Sequence, residues 1–192
     1  MIASALVAAL LWPIAASAHI TPGEAGGFVS GLSHPVSGWD HVLAMVAVGL
    51  WGAQLGVPAL WMLPVAFPMM MAFGGTLGLI GIPLPGVEVG IALSAIVLGV
   101  LVLSEARPPL FVAVAIVAFF AIFHGHAHAT ELREGQNPML YSLGFVIATG
   151  MLHGVGIAIG VIHRWSFGRR VLRGAGALVM TSGFYFLASA VT

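Results

Sequence analysis

The sequence predicts an all-α integral membrane protein: six transmembrane helices after an N-terminal signal peptide, with both ends of the mature chain outside. Three observations carry this. Of 192 residues, 60% are hydrophobic and 6% charged, and a soluble chain of this length could not hide so much apolar surface. The apolar stretches have the length of about 20 residues that a helix needs to cross a bilayer core. The arginines concentrate at one end of those stretches. A formal net charge of zero, without a basic stripe, gives no sign of a nucleic-acid partner. The absence of cysteine excludes disulfides, thiolate metal sites and thiol redox chemistry.

Residues 1–18 read MIASALVAALLWPIAASA. An apolar run ending in Ala16-Ser17-Ala18 fits the small-x-small cleavage pattern of a secretory signal peptide. No Lys or Arg precedes the apolar core, so retention as a first helix is the alternative. Cleavage after Ala18 would leave His19 at the mature N-terminus, where amine and imidazole could chelate a cation together.

Six spans follow, at about 39–56, 59–82, 87–104, 109–128, 138–162 and 171–191. Val57-Pro58 ends the first, and Ile82-Pro83-Leu84-Pro85-Gly86 separates the second from the third. Arg107-Pro108-Pro109 follows the third. Glu134 to Pro138 follows the fourth, and Arg164 to Arg173 separates the last two. Proline and glycine disfavour continued helix and favour turns. The loops are short, so consecutive helices should pack antiparallel, and residues 19–192 should form one six-helix membrane domain. Gly is frequent, at 26 residues, as is common where membrane helices pack closely.

Basic residues favour cytoplasmic loops. With residue 19 outside, Arg107, Arg164, Arg169, Arg170 and Arg173 fall on the cytoplasmic side, and Arg133 falls outside. This predicts N-out and C-out for the mature chain. A retained first helix would start inside and end outside, so the orientation does not depend on cleavage.

Against this apolar background stand eight histidines. Ionisable groups within a membrane are expensive and attract a functional hypothesis by default. Imidazole with carboxylate suits Ni, Zn, Cu or Fe better than Mg or Ca. His34, Asp40 and His41 form one group, and His124, His126, His128 and Glu131 another. The predicted topology puts both at the outer ends of their spans. On a helix, His124, His128 and Glu131 (i, i+4, i+7) share a face, while His126 points elsewhere. His41 and Met45 are also one turn apart. Pro35 and Gly38 suggest a turn that folds the His34 ring back over Asp40. Asp40, His41, His124 and His128 would offer N and O ligands, and a carboxylate could instead orient an imidazole through its second nitrogen.

Each residue also has a plainer reading. His163, beside Arg164 and Trp165, reads as interfacial, as do Glu88 and Glu105 near span ends. Met69-Met70-Met71 reads as lipid-facing or packing filler. His153 lies deep in an apolar stretch among Gly150, Gly154 and Gly156. Those glycines, spaced Gly150–Gly154 and Gly156–Gly160, could simply serve close helix packing.

The pattern HPxxGxDHxxxMxxVGxW, from His34 to Trp51, resembles the signature of the HupE/UreJ family of nickel and cobalt permeases. Phe123 to Glu131 is similar to the family's FHGxAHGxE, with Ala129 in place of the usual glycine. Leu152-His153-Gly154-Val155-Gly156 is similar to its LHxxG. The resemblance covers essentially the whole chain. It implies secondary uptake of Ni(II), or of Co(II), across the bacterial inner membrane, often in supply of hydrogenase or urease maturation. On it, Asp40 supplies negative charge, and His34, His41, His124 and His128 replace water around the ion. Glu131, with Met45, His126 and His19, belongs to the entrance or supports the ligands. His153 holds or relays the ion inward. No prosthetic group is implied. No GxxxxGK[ST] motif is present, so the expected driving force is the membrane potential. Six short helices could enclose a path within one protomer or between protomers of a homo-oligomer. Three other readings stay open: a histidine-rich membrane metalloenzyme, a haem-binding electron-transfer protein with axial histidines on neighbouring helices, and a metal sensor or storage module without flux.

Overall fold

A computed structural model describes residues 27–130 and 137–192. Residues 1–18, His19, Glu131 and Arg133 fall outside them. All regular structure among the described residues is helical: α1 (Gly27–Ser37), α2 (Trp39–Leu55), α3 (Ala59–Leu79), α4 (Val87–Ser104), α5 (Leu110–Thr130), α6 (Pro138–Gly160), a 3-10 turn (Val161–Arg164) and α7 (Ser166–Val191). Among them α3 to α7 are long and apolar enough to cross a membrane. The expected first span corresponds to α2, whose 17 residues give about 25 Å at ~1.5 Å per residue.

The helix ends follow the local chemistry. Asn137 caps α6, accepting from the backbone N–H groups of Met139 and Leu140 at 3.0 and 3.2 Å, with Pro138 just inside the start. Glu105 takes a left-handed conformation (φ 53°) after α4, and Ala106 N–H closes back onto Leu101 C=O at 3.1 Å. This arrangement satisfies carbonyls that the helix leaves open.

Two sequence expectations need correction. His34 does not lie on a turn but inside α1. Pro35 forgoes the backbone bond to the Gly31 carbonyl, and packing of α1 on α6 holds the helix in spite of it. Gly31 lies against the Tyr141 carbonyl, and Gly144 against that of Phe28. The last helix begins at Ser166 rather than 171. Arg169, Arg170 and Arg173 sit on exposed positions of its first turns, and arginine is a good helix former.

The helices pair through glycines. Gly74 of α3 meets the Ile122 backbone of α5, and Gly125 of α5 meets that of Met71. Gly99 and Gly176 join α4 to α7 in the same way, and Gly49 and Gly156 join α2 to α6. A side chain at any of these positions would push two backbones apart. Gly160 also packs on α2, whereas Gly150 and Gly154 face open space, so the packing reading holds for one of the two predicted glycine pairs.

Helix α2 is the core element, with Trp51, Met45, Leu50 and Val48 almost wholly buried. Its far end is tied to α4: Trp51 donates to the Ala106 carbonyl at 2.9 Å, and Gln54 to that of Val102 at 3.1 Å. Helices α1 and α2 together line α6 along its whole length, from Gly27 beside Asn137 to Ala53 beside Gly160. They run in the same direction, interrupted by the single extended residue Gly38 (φ −112°, ψ 122°).

Candidate functional site

The interruption at Gly38 positions the first group. Asp40 and His41 occupy the first turn of α2. The Asp40 Oδ1 accepts from the His41 backbone N–H at 2.9 Å and from the His41 Nδ1–H at 3.0 Å. A carboxylate can only accept, so Nδ1 carries a proton, and in the neutral ring Nε2 holds the lone pair. That Nε2 is buried and has no hydrogen-bond partner. A Cβ at position 38 would lie 2.6 Å from Asp40 Oδ1, so only glycine leaves room for the folded-back carboxylate. The His41 and Asp40 side chains are 12% and 26% exposed.

Helix α5 brings the second group to the first. The His41 ring lies 4.8 Å from that of His124 and 4.5 Å from that of His128. His34, from α1, lies 4.6 Å from His128, edge to face. The four rings form one succession, His34–His128–His41–His124, and His124 and His128 are buried. Tyr141 and Phe145 of α6 close the side at His34 and His128. A cavity of about 230 Å³ between α3, α5 and α6 reaches His128, with Thr76, Ser142 and Tyr141 also in its wall. The rings meet edge to face or tilted rather than converging on one point: among the described residues, no three His, Asp or Glu groups enclose a point where a metal ion could sit as they stand.

His153 lies apart from the other four, 1% exposed. Phe67 of α3 bridges the two regions, with its ring 5.4 Å from both His124 and His153. Phe67 is flanked by Pro64 and Pro68, both inside α3. Pro68 has no N–H, so the Pro64 carbonyl has no helical donor. The Pro64 backbone faces the His153 ring, yet neither His153 nitrogen makes a formed hydrogen bond. Thr149, one turn before His153, is also buried with an unpartnered hydroxyl.

The remaining candidates divide. Met45 is fully buried, one turn beyond His41. His126 points away from the cluster and contacts the Ile82 carbonyl through Nε2 at 2.9 Å, tying the α3–α4 loop to α5. His163 contacts the Gly160 carbonyl at 2.9 Å in the 3-10 turn, away from the ring succession. Sequence reasoning missed Phe67, Thr149 and Ser94. The Ser94 hydroxyl lies 3.0 Å from His124 Nε2. The signal for Phe67 was present as a lone aromatic between two helix-interior prolines; a buried Ser or Thr in an apolar helix gave a weaker one.

Comparison with known proteins adds a lineage to this geometry. Residues 7–186 match the family model described as HupE / UreJ protein. The chain is 46% identical over 177 residues to Protein HupE of Rhizobium leguminosarum bv. viciae, covering 92% of each sequence. No solved structure matches.

Proposed function

The chain belongs to the HupE / UreJ family, and on that premise we propose that it is a secondary permease. Its cargo is a divalent transition-metal ion, Ni(II) foremost and Co(II) as the alternative, carried from periplasm to cytoplasm. The family is of transporter type, associated with nickel and cobalt uptake for hydrogenase or urease. The observation that carries the reading is the continuous succession of imidazoles from His34 to His124, continued through Phe67 to His153.

Hydrated metal meets the part-exposed Asp40 carboxylate at the outer end, with Glu131 adding charge at the mouth. Asp40 holds the Nδ1 side of His41, so Nε2 replaces a water on the ion. Such a carboxylate–imidazole pair fixes the ring and raises its basicity toward a metal. His124, His128 and His34 supply further nitrogens as the touching rings part around the ion. His153 takes it on the inner side of Phe67. An inside-negative potential favours inward movement of a dication by about 4.6 kcal/mol per 100 mV, at about 2.3 per charge. The permease reading puts the protein in the inner membrane; the arginine distribution supports both mature ends outside, and the apolar helix faces meet lipid.

The geometry gives less support to haem binding. Imidazole rings 4.5 to 4.8 Å apart leave no space for a porphyrin between them.

The test is accumulation of radiolabelled Ni(II) in proteoliposomes under an inside-negative potential, beside Co(II), Zn(II) and Cu(II). Asp40→Ala and His41→Ala are expected to abolish uptake while still inserting. If both variants transport nickel at the wild-type rate, the assignment of the site is wrong.

A further inference from the structure

One buried hydroxyl touches the histidine succession without being a metal-ligand type. Ser94 of α4 is fully buried, and its Oγ lies 3.0 Å from His124 Nε2. The same Oγ lies 2.6 Å from the Ile91 carbonyl oxygen. Two oxygens at that separation share a proton. The carbonyl has none to give, so the hydroxyl proton belongs to the Ile91 contact. Toward His124 the serine then presents only lone pairs, and His124 must be the donor, through Nε2–H. A neutral imidazole protonated at Nε2 keeps its lone pair at Nδ1. His124 Nδ1 is buried and has no hydrogen-bond partner.

We propose that Ser94 is a positioning residue of the metal path: it locks His124 in the Nε2–H tautomer and so makes Nδ1 the nitrogen that takes the ion. The claim about the metal rests on the permease reading; the claim about the tautomer does not. His41 is arranged in the opposite sense, with Nδ1 bound to Asp40 and Nε2 open. Two neighbouring rings therefore offer different nitrogens. They also differ in strength. A carboxylate behind His41 makes it a stronger donor than a neutral hydroxyl makes His124, so of these two rings His41 is the tighter site and His124 the looser.

The experiment uses purified full-length protein with ¹⁵N-labelled histidine, with the His124 signals assigned by their loss in His124→Asn. In the metal-free wild type, His124 is expected as the Nε2–H tautomer. Ser94→Ala removes one atom and adds none; it should mix the tautomers and weaken Ni(II) binding by about tenfold to a hundredfold. Ser94→Thr keeps the hydroxyl and should restore both properties. An Nδ1–H tautomer in the wild type overturns the proposal. So does a Ser94→Ala protein that binds Ni(II) within twofold of wild type. A wild type that binds no nickel at all sinks the permease reading and with it the metal half of the proposal, while the metal-free spectrum still decides the tautomer.

Discussion

One oxygen of Asp40 holds two N–H groups of His41, and a glycine two residues upstream makes this possible. The spacing Gly38-x-Asp40-His41 is therefore a steric requirement as well as a pattern. Gly38→Ala would place a methyl carbon 2.6 Å from Asp40 Oδ1, so the carboxylate must swing off His41. The expected result is a loss of nickel affinity of about tenfold or more, the usual size of losing a group that orients a ligand, with insertion intact. Titration of purified protein with Ni(II) checks it, and affinity equal to wild type would refute the steric argument. Asp40 and His41 were legible in the sequence because an acidic residue beside a histidine at the edge of an apolar span has few ordinary uses. Ser94 was not legible. A serine in an apolar helix normally satisfies itself on the preceding turn, as Ser94 does with Ile91, and its second contact comes from a helix 30 residues away.

Among the elements, the α3–α5 pair is sensitive to substitution at its glycines. Gly125 lies against the Met71 carbonyl with no room for a methyl group, whereas Gly150 has nothing within 4 Å. Gly125→Ala is expected to destabilise by about 1–3 kcal/mol, as overpacking of a tight interface does. Gly150→Ala should be neutral or stabilising, by about 0.5–1 kcal/mol from helix preference. Unfolding of both variants in detergent, monitored by circular dichroism, distinguishes them; equal effects would contradict the packing described. Most helix limits were readable because prolines and glycines punctuate the apolar runs: α4 matches its expected span at both ends, and α2 and α6 start where expected. Helix α1 was not readable. Its sequence GFVSGLSHPVS has turn-forming residues throughout, and what holds it helical is contact with α6, far away in the chain. The start of α7 was missed because a cluster of arginines reads as a loop, although on an exposed helix face it opposes nothing.

For the whole molecule, the property to test is direction. The arginines predict which ends of the bundle face the cytoplasm, and the chain contains no cysteine. Single cysteines can therefore be placed without altering a background. In intact cells, a membrane-impermeant thiol reagent is expected to label Asn137→Cys and spare Arg107→Cys; opened vesicles should label both. The reverse pattern would invert the bundle and make the histidine cluster an exit. That His34, His41, His124 and His128 share one side of the bundle was readable in the sequence, since antiparallel packing of short-looped helices puts the start of α2 and the end of α5 at the same end; their ring contacts came from the structure. The position of Phe67 did need the structure, because sequence spacing does not say which side chain of α3 turns toward two histidines on different helices.

That ring has a further consequence, for ions the protein refuses. A benzene ring has no lone pair with which to replace a water molecule, so passing it demands that a cation arrive already partly stripped. Ions for which imidazole is a better ligand than water, Ni(II) among them, meet this condition at His124. Mg(II) gives up its water reluctantly and should halt there, however abundant it is. Rejection would then depend on the free energy of trading water for imidazole, which favours Ni(II) over Mg(II), and not on charge, which the two ions share. Phe67→Ala should admit Mg(II) in proteoliposome flux assays while leaving Ni(II) affinity near wild type; unchanged exclusion of Mg(II) would place the barrier elsewhere.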